Sequence, residues 1–238
     1  MSPPGAIIIG VGPGIGISVA RRLAREGLTV GMIARSAATI DAALHELSDF
    51  DALGVTADAT DEAALRAAID EIVDRFGVPE LLVYNAALTQ RDAIGDLSAR
   101  QQLDAWAVNV VGAITAVAHL APTMALAGAG TIVLTGGMPE PSPDMTSLSL
   151  GKAGVRALTK LLARAYEPAG LHVATVTVAG PVAPGTAFDP DKIAQQYWRL
   201  HRQPRETWQH EILYAGEPSG ASDDPQPPGS PGSLVQRF

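Results

Sequence analysis

Short apolar runs alternate with longer amphipathic stretches along most of the chain. The apolar runs predict strands at residues 6–9, 28–34, 55–58, 81–84, 131–135 and 172–178. The stretches between them, with apolar positions at helical spacing, predict helices at residues 17–26, 40–47, 60–76, 100–126 and 147–169. This alternation is typical of an α/β protein with a doubly wound parallel sheet in a single domain.

The C-terminal part of the chain departs from this alternation. Residues 181–205 combine proline-rich connections with a helical stretch, and their position beyond the sixth strand predicts a lid. The segment Trp208 to Tyr214 fits either a last edge strand or a helical turn. Residues 217–238 are rich in Pro, Gly and Ser, which predicts a flexible tail or an arm that orders on a partner subunit. The folded domain is therefore expected to span residues 1–216.

Composition excludes several classes of function. The formal net charge is −8 and no Lys/Arg cluster is visible, so we expect neither a nucleic-acid partner nor a membrane partner. The chain has no cysteine and its five histidines lack ligand spacing, so no metal site is expected. The N-terminus shows no basic region and no long apolar run, which favours a cytoplasmic protein.

The glycine-rich segment after the first apolar run carries the strongest chemical signal. Gly10, Gly12, Gly14 and Gly16 separate the predicted first strand from the predicted first helix. A bare turn at a helix N-terminus exposes backbone N–H groups to a phosphate, and the helix dipole favours the negative charge. The pattern is G-x-x-x-G-x-G, whereas the strict dinucleotide fingerprint G-x-G-x-x-G is absent. The sequence thus predicts a nucleotide site.

This loop resembles that of the short-chain dehydrogenase/reductase family, and further family marks follow in order. They are Asp58, the segment Asn85-Ala86-Ala87, Asn109 and Lys152. The resemblance covers residues 6 to about 185 and implies a Rossmann fold, a small-molecule substrate and a homodimer or homotetramer. It assigns cofactor contacts to Gly10, Gly12, Gly14, Ile15, Gly16, Arg35, Ser36, Asp58, Asn85, Ala86, Lys152 and Val182.

The residue after the second predicted strand bears on the choice of cofactor. NAD enzymes usually place Asp or Glu there for the ribose 2′-hydroxyl, whereas this chain has Arg35 followed by Ser36. A guanidinium binds a 2′-phosphate well, so the sequence favours NADP(H) over NAD(H). The alternative is a solvated surface arginine, and Pro13 occupies a position where many NADP-dependent relatives have a second basic residue.

The proton-transfer half of the family's active site is altered. Leu148 stands four residues before Lys152, where the family has its catalytic tyrosine, and Gly137 stands where it has a serine. The substitutes considered for catalysis are Asn109, Lys152, Thr135 and Ser149. Three of them also have a non-catalytic interpretation: Lys152 as a ligand of the nicotinamide ribose, Thr135 as a strand residue, and Asn109 as a polar group bonded to the main chain.

Together these observations predict an NADP(H)-dependent oxidoreductase that acts on a small carbonyl, alcohol or enone with a non-standard proton donor. Loss of the serine and tyrosine leaves two alternatives open on the same scaffold. One is a redox-neutral enzyme such as a dehydratase, isomerase or cyclase. The other is a nucleotide-responsive binding protein.

Overall fold

The computed structural model describes residues 5–216, so the predicted tail 217–238 lies outside the described residues. Its strands form one seven-stranded, entirely parallel sheet. They are β1 (Gly5–Ile9), β2 (Thr29–Ala34), β3 (Ala52–Thr56), β4 (Leu81–Tyr84), β5 (Gly130–Thr135), β6 (Leu171–Val178) and β7 (Glu211–Tyr214). The prediction of a single-domain, doubly wound α/β fold is confirmed.

Helices connect the strands and cover both faces of the sheet. They are α1 (Ile15–Arg25), α2 (Ala37–Glu46), α3 (Glu62–Phe76), α4 (Ala99–Trp106), α5 (Gly112–Leu126), α6 (Thr146–Tyr166) and α7 (Pro190–His201). A π-helical turn, Ala107–Val111, joins α4 to α5 without a break. Helices α1, α2 and α7 contribute to the apolar core on one face of the sheet, and α3, α5 and α6 to the core on the other.

The strand order β3-β2-β1-β4-β5-β6-β7 reverses direction between β1 and β4. In sheets of this kind, ligands bind beyond the carboxyl ends of the strands at this switch point. Ile9 and Tyr84 are paired at the ends of β1 and β4, and Leu134 of β5 pairs with Tyr84. The residues that follow these strands therefore meet at one edge of the sheet.

Two details differ from the sequence prediction. The third strand is Ala52–Thr56 rather than 55–58, because its pairing with β2 ends at Thr56. The helical part of the predicted lid, α7, packs on α1 and the sheet. Its residues Ile193, Ala194, Tyr197 and Leu200 are buried in the core. An amphipathic helix with four such residues is packed into the core, whereas the connection 179–189 before it is more exposed.

The continuous helix from Ala99 to Leu126 is long and apolar enough by length and composition to cross a membrane. However, 56% of its most apolar window is buried inside this fold. Packing against the sheet and the neighbouring helices thus accounts for part of its apolar character, and several of its apolar side chains are exposed.

Candidate functional site

The glycine loop is shaped by two close approaches of the backbone. Gly10 follows β1 directly and has φ 89°, and a Cβ there would collide with the main chain of Ala86. A Cβ on Gly16 would lie 2.6 Å from the Gly10 carbonyl oxygen. Both positions therefore require glycine for steric reasons.

Gly12 and Gly14 have a different surrounding. A Cβ at either position would meet no atom within 4 Å, so the loop leaves open space in front of the α1 N-terminus. No side chain caps this helix end and its first turn holds no acidic residue. Unblocked N–H groups beside an open cradle fit a phosphate. The phosphate-binding part of a dinucleotide site is thus compatible with the residues present.

Arg35 and Asp58 lie at the ends of the strands beside this loop. Gly10 N–H donates to the Ile33 carbonyl at 2.8 Å, which fixes the loop against β2, and Arg35 follows β2 with an exposed side chain. The pKa of Asp58 is lowered, first by the hydrogen bond from the main-chain N–H of Thr60 and also by the charge of Arg35. One cationic and one anionic group are therefore available where the sequence predicts the adenosine half of the cofactor.

Asn85 holds the loop from the side of β4. Its Nδ2 donates to the Gly10 carbonyl at 2.8 Å, and its Oδ1 accepts from the Thr135 hydroxyl at 2.9 Å. The Thr135 hydroxyl also lies 2.7 Å from the Tyr197 hydroxyl. The side chain predicted to replace the family serine is thus engaged with Asn85 and Tyr197.

Lys152 lies on the other side of Thr135. Its Nζ donates to the Thr135 carbonyl oxygen at 2.7 Å, and the side chain is buried. Burial lowers the pKa of the Lys152 ammonium to about 8. Within residues 5–216 this carbonyl is its one hydrogen-bond partner, although an ammonium has three N–H groups to donate.

Asn109 occupies the π-helical turn and is nearly inaccessible to solvent. Its Oδ1 accepts from the Leu88 N–H at 2.9 Å, and its Nδ2 lies 3.5 Å from the Leu88 carbonyl. The interpretation of Asn109 as a polar group bonded to the main chain therefore fits its side-chain contacts. The turn also leaves the Val108 carbonyl to accept from Tyr84 at 2.6 Å.

Ser149 is engaged in shaping the loop before α6. Its hydroxyl accepts from the Ser142 N–H at 3.0 Å and lies 3.4 Å from the Ser142 carbonyl. Arg156, which sequence reasoning missed, donates to the Gly137 carbonyl at 2.7 Å. Both contacts hold the loop between β5 and α6, and no spacing motif in the sequence predicts them.

Two aromatic side chains in this region, Tyr84 and Tyr197, are buried. Burial raises the pKa of Tyr84 and also that of Tyr197, so both phenols stay protonated. Leu148 is likewise buried, and a Cβ at Gly137 would lie 3.7 Å from Lys152 Cγ, an ordinary contact. Of the remaining predicted residues, Val182 is partly exposed in the connection after β6, while Ser36 is the N-cap residue of α2.

The chain matches the short chain dehydrogenase family over residues 5–192. It is 31% identical to cis-4-hydroxycyclohexanecarboxylate dehydrogenase of Sinomonas cyclohexanicum over 192 residues, which cover 78% of this chain and 74% of that one. It is 28% identical to 3-oxoacyl-[acyl-carrier-protein] reductase of Staphylococcus aureus, over 80% of both chains.

Solved structures give the same result for the fold. A doubly substituted short-chain dehydrogenase/reductase of Serratia marcescens matches with a TM-score of 0.79 and 26% identity, over 88% of this chain and 95% of that one. A metagenomic short-chain oxidoreductase in complex with NADP matches with a TM-score of 0.81 and 22% identity, over 89% and 96%. With the glycine loop, the switch point and Lys152 placed as described, the chain belongs to the short-chain dehydrogenase family.

Proposed function

We propose that this protein is an NADP(H)-dependent oxidoreductase that acts on a small carbonyl, alcohol or enone, with Lys152 in place of the family tyrosine as the proton-transferring group. The observation that carries the proposal is which of the four candidate side chains still have hydrogen-bonding capacity. The Thr135 and Ser149 hydroxyls and the Asn109 amide are bonded to neighbouring protein groups, whereas Lys152 retains N–H groups beyond its bond to Thr135.

The cofactor half of the proposal rests on this chain's own residues. Gly12 and Gly14 leave room for the pyrophosphate at the N-terminus of α1. Asn85, after β4, holds the glycine loop by donating to the Gly10 carbonyl. The exposed guanidinium of Arg35 lies at the end of β2, where it can pair with a 2′-phosphate. When bound, NADPH supplies the hydride for reduction and NADP accepts one in oxidation.

The chain's own contribution to the reaction is the proton. In carbonyl reduction, the Lys152 ammonium gives a proton to the oxygen that becomes a hydroxyl and is left as a neutral amine, which solvent reprotonates. In alcohol oxidation the neutral amine accepts the proton instead. A buried lysine whose pKa is lowered to about 8 can hold either form near neutral pH.

Exposed apolar side chains support the proposal of a homodimer or homotetramer. Trp106, Val111 and Ile114 lie partly exposed along the helix from α4 to α5, and Leu150 and Leu161 lie exposed on α6. Apolar patches of this kind mark interaction surfaces. We also propose a cytoplasmic location, which is compatible with a net charge of −8 and a sequence without a Lys/Arg cluster for an anionic membrane surface.

Titration with NADPH and NADH followed by NADPH absorbance against a carbonyl and enone panel tests the proposal. We expect binding with a preference for NADPH, turnover of at least one apolar ketone or enone, and loss of turnover but not of folding in Lys152→Met. Tight NADPH binding with no turnover over the panel would contradict the oxidoreductase and point to a redox-neutral enzyme or a binding protein.

A further inference from the structure

We propose that Tyr197 and Thr135 are positioning residues of the nucleotide site, joined in a hydrogen-bond chain that fixes the side-chain amide of Asn85 and through it the glycine loop. The chain runs from α7 across the end of β5 to the residue after β4, and it ends on the carbonyl of Gly10. The inference rests on the proposed nucleotide function and adds two residues that no family motif marks.

The direction of every bond in this chain follows from its chemistry. A carboxamide oxygen only accepts, so the Thr135 hydroxyl must give its single proton to Asn85 Oδ1. The Tyr197 hydroxyl, 2.7 Å from Thr135 Oγ1, must then be the donor of that pair. Asn85 Nδ2 donates onward to the Gly10 carbonyl. Each donor therefore has one acceptor, and the polarity runs towards the loop.

Burial favours this one set of hydrogen bonds over alternative pairings with water. Tyr197 is fully buried and Thr135 is 7% exposed, so water does not compete effectively for their hydroxyl groups. In surroundings of low polarity a misdirected or unpaired polar group is costly. Helix α7, which carries Tyr197, packs on α1 and the sheet through buried residues, and an exposed ion pair between Arg21 and Asp191 adds a minor contact between the two helices. The donor at the start of the chain is thus fixed in space.

The consequence concerns the orientation of one amide. The oxygen and nitrogen of an asparagine side chain are nearly equal in shape, so only its hydrogen bonds distinguish the two orientations. In the observed orientation the Gly10 carbonyl accepts from the amide nitrogen and the Thr135 hydroxyl donates to the amide oxygen, so loss of that hydroxyl releases one end of the Asn85 amide and loosens its hold on Gly10. The same carbonyl lies against Gly16, at the start of α1. The position of Gly10 therefore affects both the entry to the loop and the helix end that faces the phosphate.

Four single variants test the chain. Tyr197→Phe and Thr135→Val each remove one hydroxyl and keep the side-chain shape. Thr135→Ser keeps the hydroxyl and removes only the methyl group. Tyr214→Phe is the matched control, because the Tyr214 hydroxyl donates to the Ala187 carbonyl, outside this chain. Hydrogen exchange of residues 10–17 is measured in the nucleotide-free protein, and NADPH affinity is measured separately by fluorescence.

We expect loop exchange to be faster, and the Kd for NADPH to rise about tenfold, in Tyr197→Phe and Thr135→Val. Thr135→Ser and Tyr214→Phe should match the wild type. The double variant of Tyr197→Phe with Thr135→Val should exchange no faster in the loop than Thr135→Val alone, because Tyr197 acts through Thr135. A purely space-filling Tyr197 would lower the melting temperature and leave loop exchange unchanged.

Unchanged loop exchange in both Tyr197→Phe and Thr135→Val would overturn the proposal. The exchange measurement needs no nucleotide, so it decides the positioning role even if the wild-type protein fails to bind NADPH. That second result would contradict the proposed function alone. The two failures are therefore distinguishable.

Discussion

The buried carboxylate of Asp92 accepts two hydrogen bonds from Ser147, at 2.7 Å from its hydroxyl and 2.9 Å from its main-chain N–H. Ser147 lies in the first turn of α6, one residue before Leu148 and five before Lys152. Main-chain bonds of Asp92 to Asp144 and Thr146 reinforce the same contact. Asp92 therefore attaches the segment after β4 to the helix that carries the lysine.

Removal of the Asp92 carboxylate should destabilise the protein. In Asp92→Ala the Ser147 hydroxyl and N–H lose their acceptor while still buried, so we expect the free energy of unfolding to fall by about 2–4 kcal/mol. Asp96→Ala is the matched control, because its carboxylate accepts from the exposed Ala93 N–H. Urea unfolding gives both values, and an equal effect at the two positions would contradict a special role for Asp92.

The lowered pKa of Lys152 should make stability depend on pH in a defined window. The folded protein releases this proton near pH 8, whereas the unfolded chain retains it up to about 10.5. Between these values the unfolded state binds more protons, so stability should rise with pH, by up to about 3 kcal/mol from this group. Lys152→Met should remove that rise in urea unfolding between pH 8 and 10. An unchanged pH dependence in this variant would contradict the assigned pKa.

The same group sets the expected pH dependence of turnover. If Lys152 donates the proton, carbonyl reduction should decline as pH rises through about 8, and alcohol oxidation should increase. Initial rates at saturating NADPH and NADP check this. Lys152→Arg keeps the positive charge but does not titrate in this range, so it separates charge from proton transfer. Full activity in Lys152→Arg would exclude lysine as the acid.

Restoring the family's missing side chains tests how much of its active site persists. A Cβ on Gly137 meets its nearest atoms at 3.6 to 3.8 Å, so a serine has room there, although the φ of 158° is one that L residues rarely adopt and the substitution strains the backbone equally in both double variants. We expect Leu148→Tyr combined with Gly137→Ser to raise ketone reduction about tenfold or more, since an acid of this kind is worth at least that much. Leu148→Phe combined with Gly137→Ser is the control without the phenol. Equal rates of ketone reduction in the two double variants would show that the phenol does not contribute to catalysis.

The sequence predicts most of the scaffold and the binding half of the site, because both depend on local patterns. Apolar runs mark six of the seven strands, and glycines at fixed spacing mark the loop after β1. The contacts of Thr135 and Asp92 are not local: Thr135 meets Tyr197, 62 residues later, and Asp92 meets Ser147, 55 residues later. Only the folded chain brings such pairs together, so spacing could not assign their roles.

The lid illustrates the same limit. The position of residues 181–205 after the sixth strand is the place for a mobile cover, and the pattern of α7 fits either a cover or a packed helix. Burial of Ile193 and Tyr197 decides for packing. Whether an amphipathic helix covers a ligand or a sheet depends on which partner is available, and this is a property of the tertiary fold.

Arg35 should determine the preference between the two nicotinamide cofactors. Its side chain is exposed beside Asp58, so truncation in Arg35→Ala should cost little stability. It should weaken NADPH about tenfold, because a charge-assisted hydrogen bond to the 2′-phosphate is lost, and leave NADH nearly unchanged. Arg100→Ala removes an exposed arginine that pairs with Asp104 on α4, and it controls for the change in net charge. Fluorescence titration with both nucleotides measures the two affinities. An equal loss for NADPH and NADH, or a loss as large in Arg100→Ala, would mean that Arg35 acts through the general field of the protein and does not read the phosphate.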